Sequence, residues 1–462
     1  MNGFRRPHEA VDYTALTAHL PPPPEYLSSA YLDDPETIAA KQLDGVRTRA
    51  RTAYEVPFFR RRWDAAGVGP DDLVSLDDLH RFPAYTVDDI RRSIEANPPY
   101  GDYQGVTVDQ ARDQPMRIYM SGGTTGTSRP TLYTAWDREA GAILMARALH
   151  MQGIQPGDVV VNAWAYSTHN GAHAMDEALY RWLNCVVLTT GTGNVTPTRK
   201  QIELAVEYGA TAILTTGDYL LHLADTAREM GLDPRRDLKL TALPNIGDKD
   251  RLTSTFGLPV YDSYGFHEVQ WVAIECPAGG GMHIFEDAFV VQIVDVDTGE
   301  PLPDGEQGAI CITETYKTGS PQFRYNIMDL SALLPPGQCA CGSWLRKMAP
   351  FAGRGDNMVK LRGVNIWPEA LGDIATRVDG VTDDYFVRAT REGNRDEMTV
   401  LVVSDRPPDQ HDAVRAAAAE RLHQAVGVRI GVEVVAPGTL DRLTGFGTAA
   451  KLIRFEDARD GR

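Results

Sequence analysis

Between Asp158 and Met230 the chain alternates three times between a short apolar run and a helical pattern, and this alternation restricts the fold more than any other feature. Asp158–Ala163, Cys185–Thr189 and Ala212–Thr215 read as strands. Ala174–Leu183, Pro197–Tyr208 and Tyr219–Met230 read as helices. Strands that alternate with helices pack as a parallel sheet with the helices laid over its faces. The predicted fold class is therefore α/β with a doubly wound sheet, continued by strands at Leu240–Asn245 and Pro259–Tyr261. Ligands of such sheets bind outside the carboxyl ends of the strands. Those ends carry Trp164-Ala165-Tyr166-Ser167-Thr168-His169-Asn170, then Thr190-Gly191-Thr192-Gly193, then Thr216-Gly217-Asp218-Tyr219.

The stretch Tyr119–Thr134, YMSGGTTGTSRPTLYT, precedes this region. Ile118-Tyr119-Met120 reads as the end of a buried strand, and Trp136–Met151 as a helix. Ser121, Gly122, Gly123, Thr124, Thr125 and Gly126 combine hydroxyls with glycines, whose backbone can approach a ligand closely. Hydroxyls and bare N–H groups make a concave donor surface suited to phosphate oxygens. The spacing is not the G-x-x-x-x-G-K-[ST] of kinases and GTPases. The plainer alternative for such a stretch is an ordinary loop or linker.

A chain of 462 residues is too long for one hydrophobic core, so two or three domains are expected. Its net charge of −17 excludes a broad nucleic-acid surface. The N-terminus, MNGFRRPHEAVDY, has no apolar signal-type core, and no apolar run nears the roughly 20 residues that span a bilayer. A cytoplasmic protein without a membrane or nucleic-acid partner follows. Cys185 and Cys311 fall inside apolar strands and are assigned to the core. Cys276 and His283, separated by PAGGGM, and Cys339 and Cys341, in GQCACG, supply four ligands, enough for a closed tetrahedral Zn²⁺ site. The alternative is a set of reduced thiols beside a polar histidine.

SGGTTGTSRPT resembles the phosphate-binding loop of the adenylate-forming enzymes, the superfamily of acyl-CoA ligases, luciferases and peptide-synthetase adenylation domains. Arg129-Pro130-Thr131 is most similar to the phenylacetate-CoA ligase branch, as is the helical segment following Val56. Four further motifs occur in the family's order. Tyr264-Gly265-Phe266-His267-Glu268 resembles Y-G-x-x-E, which implies that Tyr264 lies against adenine and Glu268 ligates Mg²⁺. Gly247 and Asp248 fall where the family lines the adenine pocket. Phe323–Leu330 resembles the motif whose Asp accepts the ribose hydroxyls, here Asp329, with Asn326-Ile327-Met328 replacing Arg-Thr-Gly. Gly353-Arg354-Gly355-Asp356 resembles the hinge motif, which gives Arg354 a ribose or phosphate contact and makes Asp356 the pivot. Gly445–Arg454 resembles the closing motif, whose lysine, here Lys451, bridges carboxylate and α-phosphate. Some members of the branch carry a structural zinc near the two cysteine loops.

The resemblance implies a large adenylation domain over residues 1–353, with doubly wound sheets and a β-barrel-like part, and a small mobile α+β domain over 354–462. It implies ATP- and Mg²⁺-dependent activation of a carboxylic acid as an acyl-adenylate, with Lys451 and Glu268 catalytic, then thioester formation with coenzyme A. The acid pocket is expected among Trp164, Tyr166, His169, Asn170, Gly191, Gly193 and Tyr219, whose aromatic and small polar groups suit a small aryl or arylalkyl acid. A carrier-protein thiol or an amine is the alternative acceptor, a non-catalytic zinc-stabilised binding protein the alternative class, and a homodimer is left open.

Overall fold

The computed structural model describes residues 5–121, 129–244, 249–355, 359–361, 364–392, 395–446 and 452–459. After α1 (Tyr13–His19), the helical stretch from Pro35 to Ala66 divides into α2 (Pro35–Tyr54) and α3 (Pro57–Ala66). Pro57 lacks the N–H that would continue α2, and it sits at the first turn of α3, where that donor is not needed. Asp34 caps α2 by accepting from the Thr37 N–H, and Thr86 caps α4 (Val87–Ala96), whose Asp89 accepts from the Thr86 N–H. Ser75 starts a tight 3₁₀ segment, Leu76–Arg81.

β1 (Met116–Ser121) and β2 (Arg129–Thr134) pair antiparallel with Ser121 opposite Arg129. β1 is not the buried strand expected: Arg117 and Ile118 are exposed while Tyr119 and Ser121 face inward, because the ribbon has one covered face. α5 (Ala135–Met151) follows directly and is buried on nearly every side, its charged residues included. Its Arg147 is tolerated inside because Asp287 accepts two bonds from it, at 3.0 and 2.8 Å.

β3 (Val159–Asn162), β4 (Val186–Thr189) and β5 (Ala212–Leu214) form a parallel sheet in the order β4–β3–β5. The connections run through α6 (Gly171–Glu177), which passes into a π-helix over Ala178–Trp182, and α7 (Thr198–Glu207); α8 (Gly217–Glu229) and α9 (Lys249–Phe256) follow β5. The expected strand at 240–245 does not form over its described residues. The N–H groups of Thr241 and Ala242 both point at the Thr211 carbonyl, so the segment meets the sheet at one point. Nor do residues 259–261 form a strand: Pro259 has no N–H for a ladder, and Gln152 takes the Tyr261 carbonyl.

β6 (Ser263–Phe266), β7 (Gln270–Glu275), β8 (Met282–Ile284), β9 (Phe289–Val294), β10 (Gly308–Glu314), β11 (Tyr325–Ser331) and β12 (Lys347–Met348) build two sheets, β12–β8–β7–β6 and β11–β10–β9. Both are open among the described residues, so the barrel-like part expected is not a closed barrel.

The chain divides into two compact units, Met1–Ile327 with Ala332–Pro350, and Met328–Ser331 with Phe351–Arg462. The second contains β13 (Val359–Leu361), β14 (Val364–Ile366), α10 (Pro368–Ala375), β15 (Val381–Glu392), β16 (Arg395–Ser404), α11 (His411–Val426), β17 (Gly431–Val435), α12 (Asp441–Thr444) and β18 (Phe455–Asp457). Its sheet runs β17–β16–β15–β18, with β15 and β16 a hairpin and both outer strands parallel to their neighbours. α10 packs onto this sheet so closely that a Cβ at Gly372 would lie 1.9 Å from the Tyr385 ring. No helix among the described residues is long and apolar enough to cross a membrane.

Candidate active site

The β1–β2 hairpin and the β6–β7 turn meet at the Glu268 carboxylate. Glu268 is buried; Ser121 Oγ donates to its Oε1 at 3.3 Å, and Arg129 Nη2 stands 3.8 Å from the same oxygen. Ser121 and Arg129 are the paired ends of the Gly/Ser/Thr-rich loop, so a carboxylate lies at the mouth of the donor loop. The β6–β7 turn is tight because Gly265 has no side chain: a Cβ there would sit 2.1 Å from the Gln270 carbonyl oxygen. Gln270 itself takes φ of +70°, and its side chain packs on Gly141 of α5, where a Cβ would meet it at 2.6 Å. Tyr264 of β6 is buried.

Loop 164–170 after β3 is drawn to the same place. The Met120 N–H donates to the Thr168 carbonyl at 2.9 Å, and His169 meets His267 edge-to-face with ring centres 4.7 Å apart. Asn170 Oδ1 accepts from Arg138, whose guanidinium lies 4.9 Å from the Tyr119 ring centre and pairs with Glu177 at 2.5 Å. Tyr166 donates to Asp176 at 2.6 Å and packs edge-on against His173. Trp164 is half-buried against the large core. Tyr219 packs elsewhere: its hydroxyl lies 3.0 Å from Thr198 Oγ1, over Gly193, where a Cβ would approach that hydroxyl to 2.7 Å. Gly191, at φ +66°, presents its carbonyl to Gln201 at 3.0 Å. His267 and Arg138 were not among the expected site residues. His267 could have been found as the residue before Glu268; the place of Arg138 depends on long-range packing.

In the second unit Asp329 Oδ1 accepts from Arg354 Nη1 at 3.0 Å, which brings together the two residues expected near the ribose. Gly122, Gly123, Thr124, Thr125, Gly126, Gly247, Asp248, Asp356 and Lys451 lie outside the described residues.

Cys276, His283, Cys339 and Cys341 form a separate cluster whose ligand atoms all lie within 4.8 Å of one another. Cys276 Sγ is 3.7 Å from Cys339 Sγ, and Cys341 Sγ is 3.5 Å from His283 Nε2. His283 Nδ1 stands 3.1 Å from the Leu345 carbonyl, which selects the tautomer protonated at Nδ1 and leaves the Nε2 lone pair facing the thiols. Burial pushes this imidazole down to about 4. Gly279, Gly280 and Gly281 all have positive φ, which is why the segment joining Cys276 to His283 is glycine. Cys185 and Cys311 are buried.

Residues 363–459 match the family model of the AMP-binding enzyme C-terminal domain. Over most of its length the chain is also similar to curated enzymes. It is 33% identical to a phenylacetate-coenzyme A ligase of Aromatoleum evansii, covering 90% of this chain and 94% of that one. It is 30% identical to that of Escherichia coli strain K12, covering 94% and 99%. The chain belongs to the phenylacetate-coenzyme A ligase family of adenylate-forming enzymes. A solved 2-hydroxyisobutyryl-CoA ligase in complex with 2-HIB-AMP superposes with a TM-score of 0.81 at 26% identity, over 93% of this chain and 92% of that one. The protein is thus an AMP-forming acid–CoA ligase.

In this ligase the His267 ring is pushed by burial from its ordinary 6.5 to about 3. The folded state therefore holds fewer protons than the unfolded chain between those values. The stabilisation is complete above 6.5 and is lost as the pH falls toward 3. Denaturant midpoints of wild type and His267→Gln, followed downward from neutral pH, should fall more steeply for the wild type. Parallel curves would contradict this burial of His267.

Proposed function

We propose that this ligase activates an aryl or arylalkyl carboxylic acid as its acyl-adenylate and passes the acyl group to coenzyme A. The observation that carries the reading is the buried Glu268 carboxylate, held by Ser121 and faced by Arg129 at the mouth of the donor loop. Carboxylate and hydroxyl oxygens suit a hard cation, so Glu268 would hold the Mg²⁺ of the nucleotide. The bound ion would supply neutralisation of phosphate charge. Ser121 to Gly126 would cradle the phosphates, Gly247, Asp248, Tyr264 and Gly265 would border adenine, and Asp329 with Arg354 would hold the ribose. Lys451 would stabilise the charge that moves as the substrate carboxylate attacks the α-phosphorus in line and pyrophosphate leaves. Rotation of the small unit at Asp356 would then admit coenzyme A, whose sulfur attacks the acyl carbon and expels AMP.

The acid would lie along Trp164, Tyr166, His169 and Asn170, with Gly191, Gly193 and Tyr219 beyond. Support comes from the relatives named phenylacetate-coenzyme A ligase and from the ring faces around Tyr119, His173 and His267. Stacked aromatic pairs contribute about 0.5–1.5 kcal/mol beyond area burial. A neutral imidazole beside them could hydrogen-bond a ring substituent, which rejects analogues lacking it more strongly than apolar contact does. In acid-dependent ATP–pyrophosphate exchange, phenylacetate and benzoate should show higher kcat/KM than linear acids of equal carbon number or 2-hydroxyisobutyrate. A preference for the aliphatic acids would refute the aromatic assignment.

The thiol–imidazole cluster would hold one structural Zn²⁺, remote from the chemistry and with all four positions filled by protein. Metal analysis of protein purified without added metal should then return about one zinc per chain. Metal-free, folded protein with freely titratable thiols would exclude it.

A further inference from the structure

Three consecutive carbonyl oxygens line the β6–β7 turn, and each accepts a hydrogen bond from a different buried side chain. Tyr133 Oη donates to the His267 carbonyl at 2.7 Å, Lys317 Nζ to the Glu268 carbonyl at 2.6 Å, and Tyr316 Oη to the Val269 carbonyl at 2.9 Å. The donors are 1%, 0% and 3% exposed, so water does not compete for these bonds. The Lys317 ammonium also lies 3.8 Å from the centre of the Tyr133 ring, which ties two of the three donors together.

An ammonium fully removed from water is costly, and burial pushes Lys317 down to about 8 even with Asp137, Glu314 and Glu268 nearby. Its three hydrogen-bond donors could be spared if the turn needed only filling. The segment that carries it is itself fixed from two sides. Glu314, wholly buried, accepts from the N–H groups of Tyr316, Lys317 and Gln322 at 2.8, 2.7 and 2.9 Å, and Arg49 reaches the same carboxylate at 3.4 Å. Asp137, at the start of α5, accepts from the N–H groups of Thr318 and Gly319 at 2.6 and 2.8 Å. Rigidity thus passes from two buried carboxylates to segment 314–320, from there to three backbone carbonyls, and so to the Glu268 side chain.

We infer that Lys317, with Tyr133 and Tyr316, is a positioning residue: it locks the backbone of residues 267–269 so that the Glu268 carboxylate is presented to the cation of the bound nucleotide. The inference rests on the reading of Glu268 as a metal-binding carboxylate. None of the three touches substrate; each acts through the turn.

The test is Mn²⁺ affinity, read by electron paramagnetic resonance on the full chain with α,β-methylene-ATP present, alongside thermal melting. Lys317→Met should bind Mn²⁺ about 10–100-fold more weakly, the usual effect of removing a partner that orients a metal ligand. Tyr133→Phe and Tyr316→Phe, which lose one hydroxyl each, should weaken it less but in the same direction, and they carry the test if Lys317→Met does not fold. Lys317→Arg should recover part of the loss. In exchange assays the variants should need more Mg²⁺ for half-saturation while keeping much of their kcat at saturating metal. A merely structural role would lower the melting temperature and leave Mn²⁺ affinity within about twofold, short of the orienting effect. That result, with Glu268→Gln clearly weakened, overturns the inference alone. Unchanged affinity in Glu268→Gln would instead remove the metal reading on which it rests.

Discussion

The segment from Glu314 to Gln322 folds around a carboxylate that has no access to water. Glu314 takes three backbone N–H groups from its own segment, while Arg49 of α2 reaches both its side chain and its carbonyl. A carboxylate buried this way is tolerable only when its oxygens are filled, and removing partners from such a group is strongly destabilising. The same few residues also touch α5 through Asp137 and the β6–β7 turn through Tyr316 and Lys317. N-terminal helices, central helix and antiparallel sheets therefore share one polar junction. The candidate active site is built on its far side, where Glu268 faces Ser121 and Arg129.

Features that depend on local periodicity were legible in the sequence. The alternation of β3, β4 and β5 with α6, α7 and α8 follows from runs of apolar residues and helix caps, and the sheet forms as expected. The Tyr264–Glu268 motif, and the glycines between Cys276 and His283, mark the places where backbone and function converge. What was not legible depends on contacts distant in sequence. Residues 240–244 have strand-like composition, yet the N–H groups of Thr241 and Ala242 share the Thr211 carbonyl and that of Leu240 turns back to Leu238 instead of forming a ladder. β1 reads as buried, yet Ile118 is exposed because no described residue covers that face of the ribbon. No sequence motif marks Lys317; the approach of Tyr133, Asp137 and the Glu268 carbonyl shows it to be interior.

The residues proposed to bind the acid divide in a similar way. Trp164, Tyr166, His169 and Asn170 share one loop, and the structure gathers that loop against Met120, Arg138 and His267. Tyr219 and Gly193 lie in a second group tied to Thr198. Tyr166 already satisfies its hydroxyl on Asp176, so what it would offer an acid is its ring. His267 is the opposite case: a neutral ring beside the carboxylate, on the side where an acid and a nucleotide would meet. Family members act on acids as different as phenylacetate and 2-hydroxyisobutyrate by name, so these walls, more than the phosphate-facing groups, are where specificity would differ.

On this reading Glu268 and the hairpin mouth beside it would form the adenylating centre of this AMP-forming ligase. The most direct measurement is a crystal structure of the full chain with α,β-methylene-ATP, Mn²⁺ and phenylacetate. The ion should lie on a Glu268 oxygen at about 2.0–2.2 Å, a metal–oxygen bonding distance. The α-phosphate should lie at the Ser121–Arg129 mouth and the acid's ring against His169 and His267. Nucleotide and metal bound elsewhere, with the Glu268 carboxylate still turned to Ser121, would contradict it.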